Sequence, residues 1–72
     1  MAYHLRYLRT GDLIRSYDTE SAALGFVRDV VRLASSQSAA QFALDYEDEQ
    51  GLTSRIAEGG LLVTRALEDR AK

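Results

Sequence analysis

Residues 3–33, "YHLRYLRTGDLIRSYDTESAALGFVRDVVRL", change their hydrophobic period once, just after Tyr17, and that change decides the fold. From Tyr3 to Leu8 the period is two. Tyr3, Leu5 and Tyr7 point one way and His4, Arg6 and Leu8 the other, which is the alternation of a strand. Thr10-Gly11-Asp12 carries turn chemistry, with Gly11 free to take a positive φ. Leu13 to Tyr17 then return as the second strand of a hairpin. Asp18 and Thr19 supply side-chain oxygens for the free amides of a first helical turn, and Glu20 suits the positive end of the helix dipole. At 100° per residue, Ala23, Phe26, Val27, Val30, Val31 and Ala34 share one side. Ser21, Gly25, Arg28, Asp29 and Arg32 share the other, so the segment reads as an amphipathic helix with one buried stripe. Ser35-Ser36-Gln37-Ser38 ends it, because short polar side chains compete with the helical backbone.

Downstream the same grammar repeats. From Ala40 the period is again two, with Phe42, Leu44 and Tyr46 opposite Gln41, Ala43, Asp45 and Glu47. The run "EDEQG" is a polar turn ending at Gly51, and Leu52 to Ala57 form the return arm, with Leu52, Ser54 and Ile56 on one face. Gly59-Gly60 punctuates, and Leu61 to Leu67 read as a short C-terminal helix. The order is ββαββα. The fold expected is α+β, a four-stranded antiparallel sheet packed on one long helix, as a single domain over residues 1–72. The last helix either covers the sheet or reaches toward a partner, which makes Leu62, Val63, Ala66 and Leu67 a candidate interaction helix.

Composition narrows the functions. A chain of 72 residues, 46% hydrophobic and 28% charged, is an ordinary globular chain with room for one domain. At this size folding buries only about 60% of the unfolded surface, so a partner surface is a better expectation than a deep cleft. Cysteine is absent, which excludes disulfides and thiolate metal sites. No apolar run approaches the roughly 20 residues of a membrane span, and "MAYHLRYLRT" lacks the apolar core of a signal peptide. A cytoplasmic location is expected. The net charge of -2 argues against general nucleic-acid affinity. That charge is uneven, however. Residues 1–17 set Arg6, Arg9 and Arg15 against Asp12, whereas residues 36–58 set Asp45, Glu47, Asp48, Glu49 and Glu58 against Arg55 alone. Residues 59–72 are mildly basic, with Arg65, Arg70 and Lys72 against Glu68 and Asp69. The basic hairpin and the acidic middle are set to attract each other, within one sheet or between two copies.

The residues capable of chemistry are few. His4 is the one histidine and has no cysteine or second histidine to complete a metal site, so it reads as a solvent-facing or partner-facing strand residue. Counted from Asp45 as position 1 of a calcium loop, Gly51 falls at position 7 and Ile56 at 12, where Gly is needed at 6 and Glu at 12. Gly59-Gly60 before "LLVTR" lacks the lysine and glycine spacing of a phosphate loop. Ser21, Ser35, Ser36, Ser38 and Ser54 have no histidine at a plausible distance. No catalytic residue, metal, cofactor or small-molecule substrate is expected. The hairpin with Tyr3, His4, Arg6, Tyr7, Arg9, Arg15 and Tyr17 holds the most functional content. Interleaved arginine and aromatic side chains on a sheet serve single-strand binders. Alternation instead separates the tyrosines from most of the arginines. His4, Arg6, Arg9, Arg15 and Tyr17 are therefore the candidate surface for a protein partner, with nucleic acid the less favoured ligand.

The segments "RTGDLIRSYDTESAALGFV", "ALDYEDEQG" and "RIAEGGLL" resemble a group of short, functionally uncharacterised bacterial proteins, over Tyr3 to Leu67. The resemblance implies the same fold and carries no activity with it. The ββα opening also resembles half of the HicB-type antitoxin fold, although the Gly-rich strand signature of that family is missing and the second hairpin departs from it. The expectation that follows is a non-enzymatic interaction module, self-associating or the small partner of a bacterial complex. The alternative is a nucleic-acid-binding or antitoxin-like regulator that uses the basic hairpin.

Overall fold

The stretches of period two form strands and those of period 3.6 form helices. The computed structural model describes residues 1–69; Arg70 and Lys72, counted above in the last charge segment, lie outside them. The elements are β1 (Ala2–Tyr7), β2 (Leu13–Tyr17), α1 (Glu20–Leu33), α2 (Ser36–Ala39), β3 (Phe42–Glu47), β4 (Thr53–Glu58) and α3 (Gly59–Glu68). The strands make one antiparallel sheet in the order β2-β1-β3-β4. The α+β fold has the expected long helix and short C-terminal helix, in the expected order, with the one-turn α2 added before β3. Two hairpins thus lie side by side. Their inner strands, β1 and β3, are distant in sequence, and β2, α1 and α2 lie between them in the chain.

Local chemistry sets the boundaries. Gly11 takes φ 79° in the first turn, as its position requires. The Thr19 hydroxyl oxygen accepts the Ala22 N–H at 3.1 Å and starts α1. The serine run ends α1 and also starts a new turn, because the Ser35 hydroxyl accepts the Ser38 N–H at 3.0 Å. A serine that competes with a helix interior is a good cap for the next helix. At Gly59 the backbone takes φ 59° to turn from β4 into α3, a conformation that costs other L-residues roughly 1 kcal/mol or more.

The core lies between one face of the sheet and the helices. Tyr3, Leu5 and Tyr7 of β1 stand opposite Tyr46, Leu44 and Phe42 of β3. Ala23, Leu24 and Val27 of α1 and Leu62, Val63 and Ala66 of α3 close over them. Leu5, Leu24, Val27, Leu44 and Leu62 are fully buried, each removing an apolar side chain from water for about 1.5–3 kcal/mol. No polar or charged side chain is buried among the described residues.

The pattern reading needs three corrections. Leu24 joins the buried stripe because α3 packs beside α1, and Ala34 leaves it because it sits at the C-cap, φ −127°, beyond the last helical turn. Arg28, expected on the solvated side, is drawn in: its guanidinium donates to the Ala66 and Asp69 carbonyls at 3.2 and 2.7 Å. Those are free acceptors at the end of α3, where a cation also suits the helix dipole. Finally, strict alternation fails in both edge strands. A bulge places Ile14 between Leu13, opposite Arg6, and Arg15, opposite Leu5; another places Ile56 between Arg55, opposite Asp45, and Ala57, opposite Leu44. Each bulge adds an isoleucine that packs against the core. Leu52 lies in the turn before β4 and is exposed.

Candidate interaction surface

All three helices pack against one another and cover a single face of the sheet. The short dimension of the molecule, 17 Å, accommodates one helical layer on one sheet. The opposite face is bare, and alternation puts His4, Arg6, Ser16, Asp45, Glu47 and Arg55 on it. There the basic first hairpin meets the acidic second one. His4 Nε2 lies 2.6 Å from Glu47 Oε1, and His4 Nδ1 lies 2.7 Å from Ser16 Oγ. A carboxylate only accepts, so Nε2 donates to Glu47, while Nδ1 shares the second hydrogen bond with the Ser16 hydroxyl. Beside this, Arg6 Nε sits 3.4 Å from Asp45 Oδ2, and Arg55 bonds to the other oxygen of Asp45. Arg55 also donates to Glu58 at 2.7 Å. The hydrogen bond it donates to Asp45 raises the proton affinity of the Arg55 guanidinium above its ordinary value.

The attraction between the two charged segments is thus realised within one sheet. His4 is not a freely solvated strand residue. Its side chain is 14% exposed and held at both ring nitrogens. The serine that reaches it is Ser16, which carries no local sequence signal and meets His4 only through the β1–β2 register. A serine, a histidine and a carboxylate in a row have the chemistry of a nucleophile relay. The relay lies on an open strand surface, and neither Ser16 nor His4 lines the large groove described below. The acidic run is likewise occupied. Asp45 holds Arg6 and Arg55, and Glu47 accepts from His4, while Asp48 Oδ1 accepts the Gln50 and Leu52 N–H groups at 2.8 and 3.0 Å and so ties the turn.

The five residues of the candidate surface therefore divide. His4 and Arg6 are committed to acids of β3. Arg9 and Arg15 are not. Among the described residues Arg6, Arg28, Arg32, Arg55 and Arg65 each have a carboxylate partner, and Arg9 and Arg15 have none. Arg15 lies 5.6 Å over the ring of Tyr17. Partial burial raises the Tyr17 phenol above its ordinary value, and the charge of Arg15 works against that rise. Around the hairpin tip, Tyr7, Leu8 and Leu13 expose 45, 40 and 51% of their surface. A groove of about 640 Å³ opens there, lined by Tyr7, Leu8, Arg9, Thr10, Asp12, Ala40 and Gln41. Its floor is steadied by the Tyr7 and Phe42 rings, 5.7 Å apart, and by the Leu8 N–H donating to the Gln41 carbonyl at 2.8 Å.

The candidate interaction helix divides as well. Leu62, Val63 and Ala66 are buried in this chain's own core, and Leu67 is 54% exposed. Polar contacts along the α1–α3 seam reinforce the docking: Arg65 bonds to Glu20, and the Ser21 hydroxyl donates to Asp69 at 2.9 Å. In comparisons with protein-family models, curated proteins and solved structures, nothing matches this chain. No helix among the described residues is long and apolar enough to cross a membrane.

Proposed function

We propose that this chain is a non-enzymatic protein-interaction module whose working surface is the tip and outer edge of the first hairpin. One observation carries the reading: the two arginines without a carboxylate partner among the described residues, Arg9 and Arg15, sit on the hairpin that also exposes Tyr7, Leu8 and Leu13. Unpaired cations beside exposed apolar and aromatic side chains form the composition that protein interfaces favour, with arginine and tyrosine enriched. The bare sheet face fits the role of a solvated surface better, since its charges are already paired. The module acts by self-association or as the small subunit of a larger assembly.

Cross-linking at the hairpin tests this. A photoreactive residue replacing Thr10 is expected to trap a protein, another copy or a different chain, in cells that make it. The same residue replacing Gln50, at the opposite turn, is expected to trap far less. Equal trapping at both turns, or none at either while the purified chain sediments as a monomer, overturns the proposal.

A further inference from the structure

The outer edge of β2 is open. Residues Leu13–Tyr17 pair with β1 on one side, and no other backbone or side chain among the described residues bonds to their main chain. The edge of β4 is open too, but the two edges differ in charge. On β4, Arg55 and Glu58 pair with each other and Arg55 also with Asp45. On the first hairpin, Arg15 and Arg9 have no acid. An unpaired strand edge is a template for another strand, and main-chain pairing combined with side-chain pockets is a recurring way to bind extended peptides.

We infer that β2 accepts an extended acidic segment of a partner protein as a fifth strand. Its carboxylates lie against Arg15 and Arg9, and a large apolar side chain enters the groove at the hairpin tip from its Thr10 and Asp12 side. This rests on the interaction-module reading and adds the chemistry of the partner to it. Charge fixes where the carboxylates lie. Asp12 precedes β2 at the Leu13 end and Asp18 follows it at the Tyr17 end, so the acidic residues of the segment belong at its middle, against Arg15. A strand that runs beside β2 past Leu13 comes next to Asp12 and Thr10, which line the groove. An apolar residue suits that position, because Asp12 repels another carboxylate there. A second copy of this chain pairing β2 with β2 is a poor occupant. In the antiparallel register centred on Arg15, the two Arg15 side chains face each other, and like charges directly opposite are destabilising.

The probe is a fluorescent eight-residue peptide alternating glutamate and valine and ending in leucine, titrated against the full chain. Three controls accompany it: lysine in place of glutamate, alternate N-methylation of the same peptide, and an oligothymidylate of similar charge. Saturable binding is expected, with protection of the Arg15–Tyr17 amides from hydrogen exchange. It is expected to weaken roughly tenfold or more with the N-methylated peptide, with the lysine peptide, and in the Arg9→Glu, Arg15→Glu double variant. Both substitutions are at exposed positions, and circular dichroism checks that the variant is folded. Binding unaffected by N-methylation, protection at β4 instead of β2, preference for the oligothymidylate, or no binding overturns the inference. Failure here with trapping retained at Thr10 leaves the module reading standing and removes the acidic strand. Failure of both removes the surface altogether.

Discussion

Replacing Leu62 by alanine asks whether α3 is part of the core or a detachable arm. Leu62 is 0% exposed, between α1 and the sheet, whereas Leu67, five residues on, is 54% exposed. Burial at the first site predicts a loss of about 2–5 kcal/mol for Leu62→Ala, from lost transfer energy and the cavity left behind. For a chain of 72 residues, typical stability is roughly 4–11 kcal/mol, so this one substitution removes a large share. In melting temperature, about 4–8 °C per kcal/mol at this size converts to a drop of roughly 10 °C or more. Leu67→Ala is expected within about 0.5 kcal/mol of the parent. Arg28→Ala, which strips the cap from the end of α3, falls between them at about 1 kcal/mol, discounted because the guanidinium is 28% exposed. Urea titrations followed by circular dichroism give all three from the midpoint, provided the slope is unchanged. If Leu62→Ala and Leu67→Ala shift the midpoint equally, or if Leu62→Ala shifts it by less than about 0.5 kcal/mol, α3 is not docked as described.

Three further predictions use the same titration. Thr19→Ala removes the oxygen that caps α1 and is expected to cost about 1 kcal/mol, with Thr19→Ser close to the parent. Asp45→Ala strands both Arg6 and Arg55 and removes a carboxylate that is 14% exposed, so it is expected to cost about 1–2 kcal/mol. Asp29→Ala breaks a solvated pair with Arg32 and is expected to cost under about 0.5 kcal/mol; equal costs for the two would argue that the Asp45 node does not form. Tyr17 gives a pH dependence. Its phenol is raised in the folded chain by burial, so the folded state holds its proton more tightly than the unfolded state. The resulting stability is fully present below about pH 10, the unfolded value, and is lost as pH rises through the folded value. Tyr17→Phe is expected to flatten part of the decline in midpoint between pH 9 and 11. An identical alkaline limb in the variant refutes the assignment.

The parts of the fold that were legible in the sequence depend on neighbours a few residues away. Alternation over Tyr3–Tyr7, the turn at Gly11 and the Thr19 cap are local, and each lies where it was read. The misreadings share one cause, which is a contact between segments distant in sequence. Leu24 is buried and Arg28 half-buried because α3 docks on α1, and no window within α1 contains that information. The bulges at Ile14 and Ile56 break the alternation of the edge strands, where one added residue shifts every later side chain to the other face, so that Ala57 joins Ile56 against the core. Ser16 and Glu47 reach His4 only once β1 lies between β2 and β3.

The same long-range pairing changes what the charge distribution means. Summed along the chain, the first hairpin offers three arginines and a histidine as one basic patch, and that total alone invites nucleic acid. Folded, β1 lies against β3, and Asp45 and Glu47 hold Arg6 and His4. What remains is Arg9 and Arg15, on the outer edge and tip. Nucleic-acid affinity scales with the number of phosphates neutralised, and two cations beside Asp12 and Asp18 make a weak polyanion track. The proposed acidic strand asks less of the charges, because in such pairing the main-chain ladder supplies the affinity and the cations only the choice. Pairing inside the sheet has thus reduced a diffuse basic segment to two cations beside an open strand edge.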